Sequence, residues 1–122
     1  MPMSTKGNIH QKLSTFSDHW NPRIIAELNG QKVMAAKLKG AFVWHSHEHE
    51  DEMFLVVKGD LKIELRDRIE SLSEGDYIVI PRGVEHRPVA DEEVEILLFE
   101  PMETLNTGNA ESDLTVKNPQ KI

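Results

Sequence analysis

Trp44-His45-Ser46-His47-Glu48-His49-Glu50-Asp51-Glu52 is the stretch on which the fold of this 122-residue chain turns, read together with His86. His45 and His47 stand two residues apart, so on a strand both imidazoles point to one side. Glu52 follows after four intervening residues, and Met53-Phe54-Leu55-Val56-Val57 then carries the chain to Gly59. Two imidazoles and one carboxylate in this arrangement are the donor set of a divalent first-row metal site with open positions. A third imidazole has to come from elsewhere, and His86 is the candidate. It follows Pro81-Arg82-Gly83, where a turn can aim it back inward.

The spacing is more specific than a histidine cluster. After His45-x-His47 come four residues and Glu52, six residues and Gly59, then fifteen residues and Gly75. Five further residues lead to Pro81, one to Gly83 and two to His86. In order, spacing and residue type this resembles the two signature motifs of the cupin superfamily, over residues 40–100. The resemblance implies a small antiparallel β-barrel of jelly-roll (double-stranded β-helix) type, all-β in class, holding one metal ion. Carried over residue by residue, the implied ligands are His45, His47, Glu52 and His86. Two positions depart from the family pattern. Gly40 stands one residue closer to the first histidine than usual, and Ala90 replaces the asparagine that often ends the second motif. Neither is a proposed ligand.

Composition narrows the alternatives. A chain of 122 residues is long enough for one hydrophobic core without disulfides. The absence of cysteine excludes a thiolate zinc finger and fits a reducing, cytoplasmic setting. A formal net charge of −7 disfavours nucleic acid as a partner and leaves a small molecule as the expected one. No basic segment leads into an apolar run at the N-terminus, and no run of about 18 apolar residues could span a membrane.

Along the chain, residues 1–20 read as an extension with a short helix, since Ile9, Leu13 and Phe16 share helical spacing. Residues 21–102 read as the barrel. Arg23–Leu28 and Lys32–Leu38 flank Asn29-Gly30, a strong two-residue hairpin signal. Further strands are expected at residues 41–47, 53–57, 61–65, 69–72, 77–80, 86–89 and 94–99, the last two separated by a solvated loop at Asp91-Glu92-Glu93. That makes about nine short strands with turn signals at the spacing of a sandwich or barrel. Residues 103–122 read as a polar tail, loosely attached or lying on a partner subunit. Asn106-Thr107-Gly108-Asn109 within it is a turn with no assigned role.

Asp51 rivals Glu52 as the carboxylate ligand, but Glu52 keeps the six-residue distance to Gly59. His49 falls in the loop with Glu48 and Glu50, at the mouth of the barrel. Arg82 and Arg87 flank His86 and are either surface charge or a clamp for an anionic ligand. Trp44, opposite in parity to the histidines, is a candidate subunit contact, and a homodimer is expected. Imidazole with carboxylate suits Mn, Fe, Co, Ni, Cu or Zn, one ion per chain. The function expected is an enzyme acting on a small molecule at that metal, by dioxygenase or isomerase/lyase chemistry. The alternative is a non-catalytic ligand- or metal-binding barrel. No catalytic base stands out.

Overall fold

The structure, a computed structural model, describes residues 4–122. One short helix, α1 (Ile9–Leu13), precedes seven strands: β1 (Arg23–Leu28), β2 (Gln31–Ala41), β3 (Glu52–Lys58), β4 (Leu61–Leu65), β5 (Ile69–Leu72), β6 (Tyr77–Ile80) and β7 (His86–Pro101). Every strand pairing between them is antiparallel. The β1–β2 hairpin closes at Asn29-Gly30, both with positive φ (51° and 75°), as a two-residue turn of matching twist requires.

The longest strand organises the roll. β7 pairs with β2 along nearly its whole length, from Ala41↔Val89 to Gln31↔Pro101. Its first half also pairs with β4, and its second half with β3, which continues to β6. The strand therefore passes from one sheet of the jelly roll to the other. The corner is Asp91-Glu92-Glu93, where a loop was expected and strand is found. A bulge explains the difference: Leu38 faces Val94 and Gly40 faces Ala90, so β7 carries two extra residues there. The three acidic residues are exposed there, Glu93 pairing with His19. Gly59, in the β3–β4 turn, packs onto the Glu93 carbonyl, where a Cβ would come within 3.0 Å.

Alternation along the strands fills the interior. Met34, Ala36 and Leu38 of β2, Phe54 and Val56 of β3, Ile63 of β4, and Val94, Ile96 and Leu98 of β7 belong to one buried cluster. Each large aliphatic side chain buried this way contributes about 1.5–3 kcal/mol. A second, smaller cluster lies outside the sheet, where Leu13 and Phe16 cover Ala35 and Leu97. The helix stops at Leu13, short of Phe16, because the Ser14 and Thr15 hydroxyls bond back to the Gln11 and Lys12 carbonyls.

Two segments depart further from the sequence reading. Residues 42–47, expected within a strand over 41–47, hydrogen-bond to the backbone of β7 at two points among the described residues, Phe42 to Pro88 and a reciprocal His45–His86 pair. Residues 103–122 wrap back over their own barrel. The Lys32 ammonium donates to the Thr104 carbonyl, Thr107 is fully buried against Thr115, and Ile122 bonds to Ile24 at the edge of β1. Among the described residues, no helix is long and apolar enough to cross a membrane.

Candidate metal centre

His45, His47, Glu52 and His86 converge at one end of the roll, and all four are buried. Their elements explain the meeting. Glu52 is the first residue of β3, and His86 is the first residue of β7. The reciprocal backbone bonds between His45 and His86 (3.1 and 2.9 Å) hold the other segment beside them. His47 is fixed in turn by the amide of Gly83, which donates to its carbonyl at 2.8 Å. Gly83 has φ 82°, a conformation that glycine reaches at little cost.

The imidazoles are oriented from behind. The Nδ1 of His45 lies 2.9 Å from the Val43 carbonyl, and the Nδ1 of His86 lies 3.0 Å from the Val84 carbonyl. A carbonyl only accepts, so each Nδ1 carries a proton and each Nε2 is the nitrogen turned to the centre. Glu52 Oε1 stands 3.3 Å from the Nε2 of His86 and 3.4 Å from that of His47. Both ring nitrogens of His47 are buried without a hydrogen-bond partner. Such an orphaned pair is costly in a protein interior and points to a group that completes it.

One donor atom from each of the four residues lies within 4.8 Å of the others. Donors bound at about 2.0–2.2 Å to a common ion stand at most ~4.4 Å apart. Closing the cluster around an ion therefore needs movements of a few tenths of an ångström, and the donor set fits a divalent transition metal. Burial lowers the His45 pKa to about 4, reinforced by the nearby His86, so its ring is neutral at pH 7. Burial alone would raise Glu52, but the His47 and His86 imidazoles outweigh it and hold the carboxylate below its usual range.

The remaining residues of the motif lie elsewhere. Asp51 is exposed and accepts from the amide and guanidinium of Arg82 (2.9 and 3.2 Å), outside the cluster. His49 and Glu48 face solvent together. Arg87 bonds Glu64 at 2.8 Å and, with Arg66 stacked at 3.8 Å, covers Trp44. Arg82 and Arg87 are thus both paired with carboxylates, as surface charge, and neither is free to act as the alternative anion clamp.

Several residues near the centre escaped the sequence reading. Glu100 is 1% exposed with both carboxylate oxygens unpartnered, beside Glu52 and opposite Lys32 in the β2–β7 register. Burial, then the Glu52 charge, pushes the Glu100 pKa well above its ordinary value. Strand parity held the signal, since Val94, Ile96, Leu98 and Glu100 share one face. Gly108 and Asn109 grip the peptide between the two histidines. Ser46 donates to the Asn109 Oδ1 (2.9 Å) and accepts from its amide (3.0 Å). Nothing local in the sequence marks that contact. Beside the cluster lies a chamber with about 30 Å³ of free space, walled by Trp20, Leu38, Phe42, Phe54, Ile96 and Leu98 among others.

A sequence model of the cupin domain matches residues 33–100. Among solved structures, a cupin-2 domain protein from Shewanella frigidimarina NCIMB 400 is 47% identical, with 77% of this chain and 92% of that one covered and a TM-score of 0.76. Protein NMB1881 from Neisseria meningitidis is 30% identical, with 80% and 99% covered and a TM-score of 0.74. The uncharacterised protein YdbB of Bacillus subtilis (strain 168) is 38% identical over 64 residues, 52% of this chain. The match spans 57% of that curated relative's length.

Proposed function

Because this chain belongs to the cupin domain family, we propose that it binds one divalent transition-metal ion through His45, His47, Glu52 and His86 and acts there on a small molecule. The observation that carries the reading is the buried His47 ring with two unpartnered nitrogens among three other donors. Four protein ligands leave about two positions of an octahedral ion open. The bound metal would supply Lewis-acid polarisation of a ligand oxygen or, as iron, activation of O₂.

The chain's own groups have separable tasks. The Val43 and Val84 carbonyls keep the His45 and His86 rings aimed at the centre. Glu52 supplies negative charge, and burial together with that charge favours the neutral form of Glu100 beside it. The apolar chamber keeps bulk water away, which strengthens every electrostatic contact inside. These features support enzymatic chemistry of the isomerase/lyase or dioxygenase kind. The small free volume of the chamber favours a second reading, a non-catalytic metal- or ligand-binding barrel. We also propose a homodimer, supported by exposed Tyr77 and Val79 (65% and 50%) on the edge strand β6.

The test is metal content of untagged protein beside His45→Ala and His86→Ala. About one ion per chain, lost in both variants, supports the centre; no ion after reconstitution of the wild type overturns it. Turnover of candidate substrates under air and under argon then separates the enzymatic reading from the binding one.

A further inference from the structure

The chamber beside the four-residue cluster is distinguished by the polar groups it withholds. Apart from His45 and Glu52, the polar side chain on its wall is Asn106, and both ends of that amide are already engaged. Its Nδ2 donates to the Leu114 carbonyl at 2.9 Å, and its Oδ1 accepts from the Val116 amide at 2.8 Å. The Trp20 indole N–H is also engaged, donating to the Lys39 carbonyl at 2.8 Å. Among the described residues, no lysine or arginine lines the chamber. The nearby cations are committed elsewhere: Arg82 to Asp51, Arg87 to Glu64, and Lys32 to the Thr104 carbonyl.

A hydroxyl or amide carried into this space would lose its water and find no partner, which costs roughly tenfold or more in affinity for each group. A carboxylate or phosphate lying away from the cluster would lose more, with no counter-charge to meet it. We infer that the ligand is an uncharged small molecule with an apolar body and a single donor atom that reaches the cluster, and that Trp20 sets its size. This deepens the metal reading above and rests on it for the donor end.

Trp20 is the part of the wall built to yield. It stacks on Phe42 with ring centroids 4.8 Å apart, and outside β1 it is held by its indole bond and by its amide on the Lys37 carbonyl. Its φ of 58° is a left-handed conformation that a bulky residue rarely adopts. Strain of this kind collects at ligand clamps. The free space of about 30 Å³ holds one or two waters. A ring-sized ligand therefore takes its place by moving the indole, and the body it meets on the other side is Phe42.

The experiment uses Trp44→Phe protein, in which Trp20 is the sole indole; Trp44 lies under Arg66, away from the chamber. Loaded with Co²⁺, it is titrated with phenol, 4-hydroxybenzenesulfonate and glucose, following the visible Co²⁺ spectrum and Trp20 emission. Phenol is expected to change both signals and to bind at least about tenfold more tightly than 4-hydroxybenzenesulfonate, whose charge lies away from its donor oxygen, or glucose. Equal or tighter binding of 4-hydroxybenzenesulfonate or glucose overturns the inference, as does silence toward all three probes. A Co²⁺ response to phenol with unchanged Trp20 emission removes Trp20 from the ligand's path. Failure to take up Co²⁺ would count against the metal centre itself. In that event phenol-selective changes in Trp20 emission still support the apolar chamber, and their absence overturns it.

Discussion

Gly108 lies so close to Ser46 that a methyl group on its α-carbon would overlap the Ser46 carbonyl oxygen and come within 3.2 Å of the His45 ring. The strap after β7 thus presses on the one residue that separates the two histidines of the first motif. Gly108→Ala is expected to displace this segment and weaken metal binding by about tenfold or more. Its φ of 53° adds a backbone penalty of about 1 kcal/mol or more to the fold. Chelator competition reads the first effect and urea unfolding the second. Wild-type affinity in Gly108→Ala would show that the strap does not position the histidines.

His47 offers a signature that separates a ligand from a structural residue. Its two orphaned nitrogens make it a liability in metal-free protein. His47→Leu should abolish metal uptake while raising the stability of the metal-free form by roughly 1–3 kcal/mol. Denaturant unfolding of both proteins in chelator, beside metal analysis, checks the pair of effects. A variant that is destabilised without metal would argue for a structural role instead.

Asp51 and Glu52 are neighbours in sequence with opposite surroundings. Asp51→Asn leaves the buried cluster intact and should retain metal. Glu52→Gln removes the cluster's negative charge and should lose it. Metal content of the two variants decides between them, and the reverse pattern would make Asp51 the ligand.

Glu100 is raised by burial, so its linkage runs opposite to that of an ion-paired carboxylate. A raised folded pKa gives stability that is full below the unfolded value of 4.5 and is lost as pH rises through the folded value. Glu100→Gln, a neutral mimic of the protonated acid, should abolish that loss. The metal-free variant is then expected to gain on the wild type as pH rises above 4.5. A gap that narrows as pH rises would contradict this assignment.

His45 sets a second window, from its unfolded pKa of 6.5 down to about 4. Between these values the unfolded chain binds a proton that the folded chain refuses. Metal-free stability should therefore fall as pH drops from 6.5 toward 4, by up to about 3 kcal/mol. In His45→Gln this part of the pH dependence disappears. Urea titrations at pH 4.5, 5.5 and 6.5 in chelator measure it.

Much of this was legible in the chain because the relevant chemistry is local. The Asn29-Gly30 hairpin, the apolar alternation of Leu61 to Leu65 and the Pro81-Arg82-Gly83 turn each follow from residue type and period. The loop expected at Asp91-Glu92-Glu93 was misread for a physical reason. Three acidic residues favour water, and a bulged strand corner exposes them as well as a loop does. The strand expected at residues 41–47 was likewise too regular, because the Ser46 peptide groups bond to Asn109 rather than to a ladder.

The sequence by itself determined the all-β class, the jelly-roll resemblance and the identity of the four converging side chains, since motif spacing and strand period are properties of neighbours along the chain. Only the tertiary structure decided that Glu52 is buried while Asp51 faces Arg82, that Glu100 sits beside the cluster, and that Trp20 and the strap at residues 106–109 close over it. Those pairings join residues 48 to 86 positions apart (Glu52 with Glu100, Ser46 with Asn109, Trp20 with the Asn106 side of the chamber being 48, 63 and 86). Burial, charge compensation and steric fit at such separations arise only when the whole roll has closed.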